Sequence, residues 1–458
     1  MMGIKRLSQP VSILPLVAFR ISFGLLMLFS TVRFVAKGWV QELYLAPEFH
    51  FPYWGFEWVK PLPGIGLYMV FALMGLAAFL IAVGLFYRAS VIAFFLLFTY
   101  IELLDKTYYL NHYYFVSLVS FLLIWVPAER YFSLDVWRKA VSPTREVPRW
   151  AIGIFQLQLG IVYFFAGVAK LNADWLFHAQ PLRIWLAARA GYPVVGPLFD
   201  GEWFAFLMSW GGALFDLTIP FGLAWRRTRP WAYLAVIGFH VFTGWLFPIG
   251  VFPWVMIGST WIFFDEVDYR AALSKIPLGK YFSGDWRLEI NQSPIANLQS
   301  PKRSLAFLLT LFFTLQLLLP FRHFLYPGDV LWNEAGTRFA WRVMVAEKTG
   351  TATFFITDPN TGKTQTVYPG DYLTPQQEKQ MAFQPDMLLA FAHFLRDEIS
   401  VRGQHPVEIR AEVWVSLNGR GSQLLVDPTV NLANIKPGWR RQAWVSAFPS
   451  EFAQTSVP

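Results

Sequence analysis

Cysteine is absent from the 458 residues. That excludes a disulfide, a thiolate nucleophile and a sulfur-ligated metal, though not an oxidising compartment. Charge is scarce. Asp, Glu, Lys and Arg make up 15% of the chain, against roughly 25% in soluble domains. There is no phosphate-binding glycine loop or dinucleotide fingerprint, and the histidine boxes of a di-iron membrane enzyme are missing. No internal repeat is visible, which disfavours a transporter built on inverted halves.

Apolar residues are abundant. Hydrophobic side chains form 55% of the sequence and aromatics 18%, with mean hydropathy +0.39. This composition places the chain in the membrane class. A span needs about 20 mostly apolar residues. Candidates are 14–34, 66–87, 89–104, 112–126, 150–171, 203–225, 231–247, 249–264 and 304–325. Three of these are short and one is a candidate re-entrant segment, so eight or nine transmembrane helices are expected. The first apolar run has no small-residue cleavage site after it and reads as a retained span.

The net charge of +8 does not indicate nucleic acid. Lys5, Arg6, Arg88, Arg130, Arg138, Lys139, Arg145, Arg149, Arg226, Arg227 and Arg229 lie in loops that share one side if the N-terminus is cytoplasmic. His50, Asp105, His112, Lys170, Asp174 and His178 then fall at or near the outer surface, with His240 deeper. Ionisable groups at membrane depth are functional candidates.

From about residue 326 the pattern changes. Residues 351–357 and 363–368 alternate as strands around the turn Asp358-Pro359-Asn360-Thr361-Gly362, and 407–417 with 423–426 repeat the signal around Asn418-Gly419. Asp386 opens a helical stretch, 387–399. The expected architecture is a membrane all-α bundle, residues 1–325, followed by a small β-rich α+β extramembrane domain, residues 326–458.

Two polar clusters carry chemistry. One is Asp105 to His112, with Asn111; the other is Gly167 to Trp175, with Lys170 at its centre. Burial disfavours the charged form of a lysine, and a neutral amine can take a proton from a weak acid such as a phenol. A histidine or asparagine beside it can hold the oxyanion. Competing readings stay open. Lys170 can snorkel to the interface or pair with Asp174, His112 can be a hydrogen-bonded bundle residue, and Asp216 can pair with Arg183, Arg189 or a backbone group.

The ordered series of motifs resembles the vitamin K-dependent gamma-glutamyl carboxylase family, in a bacterial-type form with an HTTM-like membrane domain. It comprises Asp105-Lys106-Thr107 with Asn111-His112, the run from Val162 to Trp175, Phe239-His240, Phe247 to Pro253, Phe339 to Met344, and Val413 to Asn418. The resemblance extends from about Phe19 to Trp444. It implies an enzyme of the carbon–carbon lyase, peptidyl-glutamate 4-carboxylase type. Lys170 is then the catalytic base that deprotonates vitamin K hydroquinone and His112 its support. Asn111, Asp105, Asp174, His240 and Trp175 are expected around the quinol. Oxygen converts the anion to a strongly basic alkoxide that removes a gamma proton from protein glutamate. Carbon dioxide adds to give gamma-carboxyglutamate, the vitamin leaves as its epoxide, and no metal takes part.

Implied partners are membrane lipid, a lipophilic quinol of menaquinone or phylloquinone type, and a glutamate-containing protein or peptide. The expected location is a bacterial inner membrane with a periplasmic active face, or the lumenal face of the endoplasmic reticulum in a eukaryote. Against the animal carboxylases, Ala169 replaces the first of two lysines, and Thr337 and Ala346 replace a tyrosine and a histidine near the glutamate site. Alternatives are a quinol epoxidase without carboxylation and a haem-binding quinol oxidoreductase using His112 and His240. A non-catalytic scaffold is a third.

Overall fold

Long apolar runs closed by glycine, proline or a polar cap become the helices of the N-terminal part. The computed structural model describes residues 7–274, 301–403, 406–438 and 443–449, so Lys5 and Arg6 lie outside the described residues. Helix α1 (Leu14–Ala36) carries proline in its first turn, where a missing N–H breaks no helical bond. Helix α2 (Ile65–Val83) ends on Gly84 at φ 66°, a left-handed cap. Gly84 is also required by space, because a Cβ there would strike the Arg20 guanidinium. Arg20 is fully buried and donates to the Phe132 carbonyl at 2.6 Å.

Helices α3 (Tyr87–Leu104), α4 (Asn111–Leu123) and α5 (Arg149–Ala169) follow. Strands β1 (Pro10–Ser12) and β2 (Glu146–Pro148) pair antiparallel. That contact fastens the chain before α1 to the chain before α5. The short helices α6 (Ala173–His178) and α7 (Leu182–Ala187) lead to α8 (Glu202–Ala224) and α9 (Arg229–Leu246). Then come α10 (Phe252–Ser259), α11 (Glu266–Leu273) and α12 (Arg303–Leu318), which runs on as a tight turn to Leu325.

Six of these helices are long and apolar enough to cross a membrane: α1, α2, α3, α5, α8 and the stretch Arg303–Leu325. The expected count of eight or nine is therefore not reached among the described residues. Helix α4 has 13 residues, well short of the roughly 30 Å hydrocarbon layer. The apolar stretch Phe252–Phe263 is also short. Helix α9 has 18 residues, but Arg229, His240 and Thr243 dilute its apolar run.

The C-terminal part is built on one antiparallel sheet in the order β4-β3-β5-β6. Strand β3 (Lys348–Thr357) pairs with β4 (Thr364–Val367) through the expected turn, and with β5 (Glu408–Leu417) along its full length, Lys348 opposite Leu417. Strand β6 (Gln423–Leu424) closes the second expected hairpin. Helices α13 (Pro375–Met381) and α14 (Pro385–Gly403) flank the sheet. Phe354, Phe391, Leu395, Ile409 and Val413 are buried in its core.

The two parts share side chains. Trp341, from the chain after α12, is buried in the core of the helical bundle, while Phe51 and Ala169 of the bundle belong to the core of the sheet domain. Polar contacts tie the joint. Lys106 Nζ meets Asp386 Oδ2 at 2.7 Å, and Arg338 reaches the same oxygen at 2.8 Å. Gln377 donates to the Phe49 carbonyl and to Asp105. Trp185 donates to Glu347. Arg420 meets both oxygens of Asp174, at 2.6 and 2.8 Å, and Asn418 adds a third bond at 2.6 Å.

Burial pushes the Asp174 carboxyl up, but the Arg420 and Asn418 hydrogen bonds outweigh it and hold it below the ordinary range. Its folded state thus favours the ionised form. The contribution is present above the unfolded carboxylate value of about 4 and is lost as pH falls through the lower folded value. Asp174→Asn should lower the stability of the joint by about 3 kcal/mol at neutral pH, as loss of a buried ion-pair partner does. Thermal unfolding in detergent should show the difference from wild type shrinking once the pH drops below about 4. A gap constant with pH would contradict this account.

Candidate functional site

Helices α5 and α8 approach so closely that a Cβ on Gly167 would sit 2.7 Å from the Leu217 side chain and 2.8 Å from its backbone nitrogen. Only glycine permits that contact. One turn further on, α5 stops. Asn172 caps α6 by accepting from the Trp175 amide, and its side-chain amide donates to the Ala169 carbonyl. Lys170 thus becomes the C-cap of α5, where the partial negative charge of the helix end favours a cation.

The Lys170 ammonium is buried and makes three contacts. It meets Asp216 Oδ2 at 2.7 Å, donates to the Ala166 carbonyl at 3.2 Å, and lies 5.3 Å from the centre of the Trp175 indole. Asp216 sits on α8 four residues before Pro220, which removes the N–H that would bond the Asp216 carbonyl and weakens the helix there. The partner of Lys170 is therefore Asp216. Asp174 is taken by Arg420 and Asn418. Arg183 pairs with Glu202, and Arg189 donates to the Leu246 carbonyl.

The histidines form a second group. His112 lies in the first turn of α4, is buried, and makes no hydrogen bond among the described residues. Its ring packs 4.6 Å from Tyr113 and 5.4 Å from Phe252. The other side of the picture is His240, 5.5 Å from the same Phe252. His240 Nε2 is 2.9 Å from the Tyr163 hydroxyl, while its Nδ1 is buried without a partner. Tyr163 and Lys170 stand seven residues apart on α5, two turns along one face. Phe215, next to Asp216, packs on both Tyr163 and His240. Tyr163 and Phe215 thus link the lysine pair, at the α5–α8 interface, to His240 on α9.

Of the remaining expected residues, Trp175 lies under Lys170 and donates to the Ser209 carbonyl. Asn111 bridges the two parts, donating to the Arg342 carbonyl and accepting from the Tyr109 hydroxyl. Asp105 faces the C-terminal domain and accepts from Thr107 and Gln377. Asp105 and Asp174 are both engaged at the joint and make no contact with Lys170.

Two cavities bear on the site. A large one, about 1390 Å³, lies at the joint and is lined by His50, Lys106, Arg322, Arg338 and Asp386 among others. A smaller one, about 330 Å³, lies between α3, α4 and α12. Neither is lined by Lys170 or His112. Tyr109 and Tyr114, which flank Asn111 and His112 in sequence, line the smaller one.

An HTTM domain matches residues 8–268, and the lumenal domain of vitamin K-dependent gamma-carboxylase matches residues 301–451. The chain belongs to the vitamin K-dependent gamma-carboxylase family. No solved structure matches it. Both matches together span the bundle, the joint and the sheet domain of this gamma-carboxylase-like membrane protein.

Two partners escaped sequence reasoning. Asp216 was one carboxylate with several possible cations, and Tyr163 one aromatic among many. The signal for each was its place. Asp216 is the only acidic residue of α8 beyond its first position, and Tyr163 stands two turns before Lys170.

The ion pair yields a sharp expectation for this carboxylase relative. Asp216→Asn leaves a buried ammonium without its counter-charge and should destabilise the bundle by about 3–5 kcal/mol. Lys170→Met combined with Asp216→Leu should recover most of that loss, because an apolar pair of similar volume replaces both charges. Unfolding midpoints in detergent test this. A double variant no more stable than Asp216→Asn would show that the pair is not what holds the interface.

Proposed function

We propose that this chain oxidises a reduced vitamin K-type quinol with O2 and couples that to gamma-carboxylation of protein glutamate by CO2. The observation that carries the reading is the buried Lys170–Asp216 pair. Moving the ammonium proton to Asp216 across the 2.7 Å contact leaves a neutral amine and a carboxylic acid. A low-dielectric site brings that neutral pair close in energy to the ion pair. Lys170 is then ready to take a proton from a weakly acidic hydroxyl.

The residues around it fit a quinol. His240 Nδ1 is buried without a hydrogen-bond partner, and the His112 ring is held by packing on Tyr113 and Phe252. Buried polar atoms normally have partners, and a quinol oxygen is a suitable one. His112 is the support nearest to Asn111, and Trp175 shields the amine from water. When bound, the quinol and oxygen supply the base strong enough to remove a gamma proton from glutamate.

The large cavity supports the second half of the reaction. It lies where both parts of the chain meet, and its lining mixes the cations Lys60, Lys106, Arg322 and Arg338 with acids that include Asp386. Asp386 is already paired with Lys106 and Arg338, so Lys60 and Arg322 are the cations offered to a glutamyl carboxylate. Its opening is assigned to the outer face, periplasmic in a bacterial inner membrane. The support for that side is the positive-inside reading of the loops that carry Arg88, Arg130, Arg138, Lys139, Arg145, Arg149, Arg226, Arg227 and Arg229. The haem alternative is disfavoured, because Phe252 packs against both imidazoles and Tyr163 engages His240 Nε2.

An epoxidase without carboxylation is the second reading. It is favoured by Thr337, which lines the large cavity and whose hydroxyl donates to the Glu334 carbonyl.

Protein in lipid, given a reduced naphthoquinone and O2, should form the epoxide. Lys170→Ala should cut that rate by about 10²–10⁴, the usual contribution of a general base. Labelled CO2 should appear in a glutamate peptide in the same reaction. Normal epoxide formation by Lys170→Ala would remove the proposed base. Epoxide without label would leave the second reading.

A further inference from the structure

The smaller cavity has mostly apolar walls, with Phe95, Leu103, Leu118, Phe121, Phe312 and Phe339 among them. Two polar side chains of α3, Thr99 and Glu102, also line it. They are three residues apart and share a helix face. The Thr99 hydroxyl is buried without a partner. Glu102 makes no hydrogen bond or ion pair among the described residues, and it is the only acidic residue of α3.

A carboxyl group in a membrane-spanning helix is costly and marks a site by default. Its neighbours do not relieve it. The Tyr109 hydroxyl donates to Asn111 and accepts from the Phe339 amide. The Tyr114 hydroxyl accepts from Gln316. Neither hydroxyl bonds Glu102 or Thr99, and although Tyr53 and Ser117 also line the cavity, the only carboxylate facing it among the described residues is Glu102. A ligand that satisfies Glu102 and Thr99 brings a hydroxyl donor on an apolar body.

Size and access narrow its class. About 330 Å³ is at the small end of ligand cavities, roughly 300–1,000 Å³. It suits a ring system rather than a full prenyl chain. Stacked rings form part of the wall, with Phe121 and Phe312 5.5 Å apart and 18° from parallel. On the membrane side the wall is α12, the least buried of the six spans at 22%. On the other side Tyr53, Leu103 and Phe339 also line the large cavity.

We propose that this cavity binds an aromatic alcohol dissolved in the membrane, its hydroxyl donating to Glu102 and its ring lying among Phe95, Phe121 and Phe339. The natural occupant rests on the functional reading above. A quinol is such an alcohol, and the cavity is then a holding position between the lipid and Lys170, beside Tyr109 and Asn111.

The test uses tritiated 1-naphthol and the full chain in lipid nanodiscs, in a Lys170→Ala background so that binding is read without turnover. Naphthol should bind saturably and its methyl ether more weakly. Glu102→Leu, which removes the acceptor, should weaken naphthol about tenfold, the scale of a lost hydrogen bond to a buried group, and leave the ether unchanged. Leu118→Trp should fill the cavity and remove both. Unfolding midpoints check that each variant is folded.

Reduced menadione should displace the probe. Displacement by a sterol but not by reduced menadione would overturn the aromatic assignment. Equal naphthol affinity in the parent and both variants would overturn the site. If wild type forms no epoxide yet Glu102-dependent binding persists, the functional reading fails alone. If epoxide forms normally and the Glu102 dependence is absent, this inference fails alone.

Discussion

A lysine ammonium and an aspartate carboxylate placed inside an apolar bundle survive there only by holding each other. Each alone would lose several kcal/mol of hydration. At 2.7 Å they compensate, and everything around them serves that distance. Gly167 lets α5 and α8 touch. The Asn172 cap stops α5 at the right residue. Pro220 loosens α8 below Asp216. Trp175 then covers the pair. Lengthening the α5–α8 contact by one methyl group would separate charges that cannot stand apart.

The same reasoning explains how the sheet domain is seated. Asp174 and Asp105 are carboxylates of the bundle that each receive a partner from the C-terminal part. At the third contact the direction of donation reverses. Asp386 of the sheet domain accepts from Lys106 of the bundle and from Arg338. Burial pushes the Asp386 carboxyl up, yet the charges of Arg338 and Lys106 prevail and hold it well below the ordinary range. This end of the bundle is therefore completed by chain that lies far away in sequence.

Much of the fold was legible from local pattern. The long spans and both hairpins follow from hydrophobic period and turn chemistry, which act within a few residues. The short helices were not, since a run such as 112–126 has the composition of a span and only the structure shows α4 ending at Leu123. Lys170 and His112 stood out as ionisable groups in apolar surroundings and gained roles through family resemblance. Their partners did not. Lys170 and Asp216 are 46 residues apart, and Asp105 and Gln377 are 272 apart. Such pairings depend on how helices cross, which periodicity does not encode. Glu102 passed unnoticed because one acid at a helix end resembles an ordinary boundary residue.

The aromatic ring of Phe339 is wedged among Tyr53, Tyr109 and Tyr114. Its backbone is held at φ 63°, a conformation that costs a non-glycine residue about 1–3 kcal/mol. It stands in the wall common to both cavities. A side chain so placed works as a bulkhead. Shortening that one side chain would join the polar space to the apolar one without moving a helix.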